Sequence, residues 1–376
     1  MQKICSLLFV AFLFVCCKND PEKTDLPTST ATAIKYAQGF EIENFDTHKV
    51  LTISNPWPGA DKTYTYLLKK QDVNLGNEAS YDGVVQIPVQ NIVVTSTTHI
   101  PSLEMLEVEN TLVGFPNLKY ISSEKTRNLI DNGAIKELGK NEDINTEVLI
   151  DLSPDVVVTF AVEGGNKSVS TIQKMGIPVI YNSDWTETHP LGKAEWIKFF
   201  GALFDKEQEA DQIFSEIEEN YIAAKELASQ ASTMPTVLSG AMYKDIWYMP
   251  QGDSWAAQFI ADAHGEYLWK DSEGTGSISL NLESVLEKGK QADVWIGPSQ
   301  FTSLEQMNET HSVYGEFEAF KQQNVYSFTN IKGATGGVLY YELAPNRPDI
   351  VLKDIIKMIH PQLLPEHEFY FFSLLK

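Results

Sequence analysis

The chain has 376 residues, 43% of them hydrophobic and 21% charged, enough to bury ordinary cores in two domains or one large one. Its formal net charge of −22 argues against a nucleic-acid partner, whose phosphates demand a basic face. Only two arginines occur, Arg127 and Arg347, so a guanidinium-lined anion site is not expected.

The chain begins MQKICSLLFVAFLFVCCKND. Lys3 gives a positive start, and residues 4–15 form an apolar run too short for a stable membrane span. The run ends at Cys16 and Cys17 and turns polar at once. This resembles a bacterial lipoprotein signal, in which the cysteine after the apolar run is lipidated and becomes the new N-terminus. Cys17 is favoured over Cys16, giving a signal over 1–17 and membrane attachment through a lipid. Residues 18–33 are polar and Pro/Thr-rich, the composition of a flexible tether. All three cysteines lie in the leader, so the body is expected to hold neither disulfides nor a Cys-ligated metal.

The body opens with HKVLTISNPW and TYTYLLKK, two strands of a hairpin. NIVVTSTTHIPSLEMLEV then reads as strand, polar turn and helix. TEVLIDL, VVVTF, GGNKSVSTIQKMG and IPVIYN continue an alternation of helix and continuously apolar strand. That alternation predicts a parallel sheet covered on both faces. From Lys193 to Ala231 the texture changes to helix formers with apolar positions at three and four, and Asp205 is a plausible cap within this connection. The βα alternation restarts at TVLSGAMY and ends in a helix near 347–359, with Asn346 as its expected cap and Pro348 in its first turn. The fold class is α/β: an N-terminal lobe over 34–192, a connecting helix over 193–231 and a C-terminal lobe over 232–376.

One stretch occurs twice. INTEVLIDLSPDVVVTF at 144–160 is echoed by LNLESVLEKGKQADVWI at 280–296. Asn145 and Asn281 are good N-caps, which puts Glu147 and Glu283 at the second position of each helix. A carboxylate there also favours the positive end of a helix dipole, worth about 0.3–1 kcal/mol.

With NTEVLIDLSPDVVV, QKMGIPVI and NLESVLEKGKQADVWI, nearly the whole body is similar to substrate-binding proteins of bacterial ABC importers, in the branch that handles ferric siderophores, haem and cobalamin. The resemblance implies two lobes joined by one long helix, with the ligand in the cleft between them and little closure. It also implies that Glu147 and Glu283 sit at the lobe tips and dock on arginines of a permease dimer. The expected partners are a metal-chelate or corrinoid small molecule and that permease, with the protein monomeric and facing the periplasm.

Ligand sites in α/β lobes lie beyond the carboxyl ends of the strands. The loops there offer Thr98 and His99, then Phe160 and Glu163 beside Gly164 and Gly165, then Trp185. In the second lobe they offer Tyr243, Trp247 and Tyr248, then Tyr340, Tyr341 and Glu342 after a glycine-rich turn. Aromatic rings suit large flat ligands, with a few polar groups fixing orientation. One tyrosine of the pair Tyr340/Tyr341 is expected to touch ligand and the other to pack beneath the final helix, with Glu342 bonding the ligand or a neighbouring donor. Trp196 and Trp295 sit in core contexts, and Trp255, which opens a helix, reads as buried packing rather than a ligand contact. The seven histidines are scattered, so neither a bare-metal site nor a cofactor is expected, and His99 reads as a hydrogen-bonding loop residue. No nucleophile elbow, P-loop or HExxH motif supports an enzyme, although GDSW resembles a hydrolase block out of its usual context. The alternatives to a siderophore or corrinoid carrier are a haem or bare-metal carrier and a surface hydrolase.

Overall fold

The computed structural model describes residues 29–70, 74–76, 78–164 and 167–376. Cys16, Cys17, most of the tether and Gly165 lie outside the described residues.

Each lobe is built on a sheet of short apolar strands. The N-terminal lobe orders Val179–Tyr181, Val156–Thr159, Ile92–Val94, Leu112–Phe115 and Lys136–Glu137, all parallel. The first three are buried at every position, as strands covered by helices on both faces must be. The C-terminal lobe orders Glu266–Tyr267, Thr236–Ser239, Val294–Ile296 and Val325–Ser327 in parallel, with Ser373–Leu374 antiparallel at the edge.

Two further sheets flank this frame. The expected hairpin, His48–Ile53 with Tyr64–Lys69, forms the middle of a five-stranded sheet that also holds Thr30–Ala31, Phe40–Asn44 and Gly83–Gln86. The stretch 241–250, expected as a loop, is a hairpin of Ala241–Tyr243 and Ile246–Pro250, joined by Ser277–Leu280.

The segment expected as one helix over 193–231 is three helices: Pro190–Glu195, Ile197–Phe204 and Glu207–Ala228. Asp205 explains the main break. It adopts a left-handed conformation (φ 57°) that no helix continues through, and its carboxylate accepts from Lys49 Nζ at 3.0 Å. The long third helix touches both lobes. Glu218 accepts from Lys35 and Tyr36, while Tyr221 donates to Asp262 at 2.6 Å and the helix packs on Pro348–Ile359. Trp196, Phe199, Phe200, Leu203, Ile217 and Tyr221 are buried, and Ile213 packs partly buried beside them.

Candidate functional site

A cavity of about 430 Å³ opens where the C-lobe strands end, at Ser239–Gly240, Ile296–Gly297 and Phe328. Trp255, Tyr340, Tyr341, Tyr248, Tyr243 and Phe372 line it, and among the described residues no charged side chain does. Tyr340 is buried, stacked on Phe328 with centroids 4.6 Å apart and 5.9 Å from Trp255. Tyr341 is 61% exposed and meets Phe328 edge-on at 5.5 Å. The adjacent pair thus divides into a packed ring and an open one, both on the cavity wall. Burial raises the pKa of both phenols, so they stay neutral hydrogen-bonding groups at neutral pH.

The hairpin register separates Trp247 from Tyr248. Successive strand side chains point to opposite faces, and the burial of Ile246–Pro250 alternates accordingly. Tyr248 faces the cavity. Trp247, expected at the ligand, is fully buried instead: it stacks on Trp295 at 5.3 Å and donates its indole N–H to Ser239 O at 2.9 Å.

The N-lobe half carries charged side chains beside apolar ones. Phe160 and Glu163 line a cavity of about 410 Å³ with Asn141, Glu142 and Lys167. Trp185 is half-exposed on the turn Asp184–Thr186. Buried Lys193 holds that turn, donating to Asp184 O (3.1 Å) and Trp185 O (3.0 Å) while its Nζ lies 5.3 Å from the Trp255 ring. Burial lowers the Lys193 pKa. The lysine therefore joins the Trp185 turn to the aromatic wall across the lobe boundary.

Two expected site residues and one expected helix cap hold the lobes together. Glu342 is absent from the cavity lining; its buried carboxylate accepts from the backbone N–H of Ser122 (2.7 Å) and Ser123 (2.9 Å) in the opposite lobe. Burial raises its pKa to about 7, while the two backbone bonds pull it down. Thr98, half-buried, accepts at its backbone oxygen from Asn346 Nδ2 at 2.9 Å. Asn346 caps no helix: it is buried, also takes a bond from Ser102 Oγ at 2.8 Å, and Arg347 precedes the helix Pro348–Ile359. The glycine-rich turn has its own reason. A Cβ on Gly333 would lie 2.7 Å from Ser122 O and 2.9 Å from its Cα, so glycine there lets the backbones of the two lobes approach closely.

The His99 ring makes no hydrogen bond; only its backbone N–H donates within the loop, to Ser96 O at 3.2 Å. It is fully buried against Phe200, both ring nitrogens lack a partner, and desolvation lowers its pKa. Glu147 and Glu283 are exposed at the second positions of helices Thr146–Leu152 and Leu282–Gly289. Asn145 caps the first through Val148 N (3.2 Å), and Asn281 caps the second through Ser284 N (2.8 Å).

Sequence reasoning missed Phe328, Phe372, Asn141 and Glu142. Phe328 directly follows the apolar run VYS, so the strand-end rule already pointed to it. Phe372 immediately precedes the C-terminal edge strand Ser373–Leu374, and the sequence carries no signal for it.

A family model described as periplasmic binding protein matches residues 92–331. A lipoprotein of Methanocaldococcus jannaschii is 26% identical, covering 93% of this chain and 87% of that relative. A possible iron-binding periplasmic solute-binding protein of Staphylococcus epidermidis superposes with a TM-score of 0.57 at 18% identity, over 73% of this chain and 99% of that one. A periplasmic haem-binding protein of Vibrio cholerae gives 0.55 at 16% identity, over 70% and 99%. A siderophore-binding protein of the same organism, bound to Fe3+–Desferal, gives 0.51 at 16%, over 72% and 99%. These likenesses establish the shared two-lobed fold.

Proposed function

Because the chain belongs to the periplasmic binding protein family, we propose that it is the substrate-binding component of an ABC importer, carrying a metal chelate or corrinoid of low charge. The observation that carries this reading is the aromatic, uncharged cavity at the carboxyl ends of the C-lobe strands. Rings hold a flat or greasy ligand, while a multiply charged one would lose water and meet no counter-charge on that wall. A corrinoid or a neutral ferric hydroxamate fits best. Haem is the second reading, favoured by Tyr243, Tyr248, Tyr340 and Tyr341 around the cavity, because phenolate is an iron ligand.

Glu147 and Glu283 supply one exposed carboxylate per lobe, on matching capped helices, for the two halves of a permease dimer. Lipidation at Cys17 or Cys16 would tether the carrier to the envelope, in keeping with relatives named as lipoproteins. Among the described residues no helix is long and apolar enough to cross a membrane. None of their His, Cys, Asp and Glu side chains form a group of three that could hold a bare metal.

A thermal-shift screen with cyanocobalamin, cobinamide, haem, a ferric hydroxamate and a ferric catecholate tests the reading. A true ligand at a hundred times its dissociation constant stabilises by about 2.7 kcal/mol. No shift with any probe would count against it. Reversing Glu147 and Glu283 to Lys together is expected to abolish uptake with ligand affinity intact; loss of ligand binding would sink the docking assignment.

A further inference from the structure

The five-stranded N-terminal sheet precedes the matched residues 92–331, yet a side chain from one of its connections packs against the loop Phe160–Gly164. Trp57 lies in the connection between strands His48–Ile53 and Tyr64–Lys69. Its indole packs edge-on against Tyr181 (5.7 Å, 74°) and Tyr64 (6.1 Å, 60°), and those two phenol rings lie 4.9 Å apart. Tyr181 ends the strand paired with Val156–Thr159, and the loop Phe160–Gly164 leaves the end of that neighbour. The indole also meets the loop itself. A Cβ on Gly164 would lie 3.2 Å from Trp57 Cζ2, so glycine allows the ring to close on the loop backbone.

We propose that Trp57 is a positioning residue for the loop Phe160–Gly164, and that the N-terminal sheet is part of the binding apparatus through it. The inference rests on the reading above that Phe160 and Glu163 face the ligand. The loop exposes Val162 and Glu163 and contributes little core of its own. Its place is therefore set by what it packs on, and the indole supplies a rigid wall of large area. The wall is fixed in turn: Tyr66 OH accepts from Tyr181 N at 3.3 Å and anchors the tyrosine cluster to the N-terminal sheet.

Cleavage of the Glu163–Gly164 bond by a glutamate-specific protease, read by mass spectrometry, reports on the loop without any ligand. Trp57→Ala is expected to speed cleavage there about tenfold with other sites unchanged, because proteolysis tracks local opening. Trp57→Phe should restore most of the protection, and Gly164→Ala, which crowds the indole away, should mimic its loss. Equal rates in all variants would overturn the proposal. A second arm measures cyanocobalamin and ferrioxamine B affinity. For the probe that wild type binds, Trp57→Ala should weaken binding about tenfold at an unchanged melting temperature. Faster cleavage with unchanged affinity would overturn the positioning role. A wild type that binds neither probe counts against the ligand reading, and the cleavage arm alone then decides whether Trp57 holds the loop.

Discussion

At the strand ends of the C-terminal lobe the cavity wall is Trp255, Phe328, Tyr340 and Tyr341, with no charge; at those of the N-terminal lobe, Asn141, Glu142, Glu163 and Lys167 surround Phe160. The two halves share one architecture, parallel strands feeding loops at their carboxyl ends, and differ in what the loops present. The difference teaches how such a site divides its work. On the proposed function aromatic area would supply the affinity, and it is concentrated where the hairpin of Ala241–Tyr243 and Ile246–Pro250 and the short helix Leu339–Leu343 hold the rings. The charged groups Glu142, Glu163 and Lys167, which cost desolvation when buried, line only the N-lobe cavity.

The largest expected effect tests the rigidity of the aromatic wall. Trp247→Ala removes a buried indole from behind it and should cost about 3–5 kcal/mol of stability, read by denaturant melting. Trp185→Ala, at an exposed ring of the polar half, should leave stability within about 0.5 kcal/mol. Similar losses at both sites would erase the contrast. Next in size, Tyr341→Ala should weaken ligand binding by about 1–3 kcal/mol with the melting point unchanged, the scale of a binding hot spot. Tyr340→Ala should instead lower the melting point, since its ring is packed on Phe328. The reverse outcome would exchange the roles of the two tyrosines.

A smaller effect concerns the seam between the halves. The folded-state pKa of Glu342, about 7, lies above the ordinary 4.5. Its contribution is therefore fully present below about 4.5 and lost as pH rises through about 7. Wild type should lose more melting temperature between pH 5 and pH 8 than Glu342→Gln does; parallel profiles would contradict this. Smallest of all, Glu163→Gln should change affinity for a neutral probe by less than about 1 kcal/mol, as exposed charges do. A larger loss would make the polar half the energetic one.

Much of this was legible in the sequence. The alternation of apolar strands and helices announced two parallel sheets, and the echoed Asn-x-Glu motif marked equivalent helices in both lobes. Pro348 marked the start of the last helix. Trp247 misled because KDIWYMPQGD carries turn residues at both ends; the alternation of buried and exposed positions between them is a strand signal too short to stand out. Glu342 and Asn346 misled for another reason. Their partners, Ser122, Ser123, Ser102 and Thr98, lie more than 200 residues away, and no local pattern encodes a contact across the lobe boundary. His99 reads as a polar loop residue until its burial is seen.

The central claim is that an uncharged aromatic wall selects a ligand of low charge. Competitive titration of the purified protein with a neutral ferric trihydroxamate and a trianionic ferric tris-catecholate tests it most directly. The neutral chelate should bind at least about a hundredfold more tightly, because the anion's charges would be desolvated without a partner on that wall. Equal affinities, or a preference for the trianion, would contradict the account.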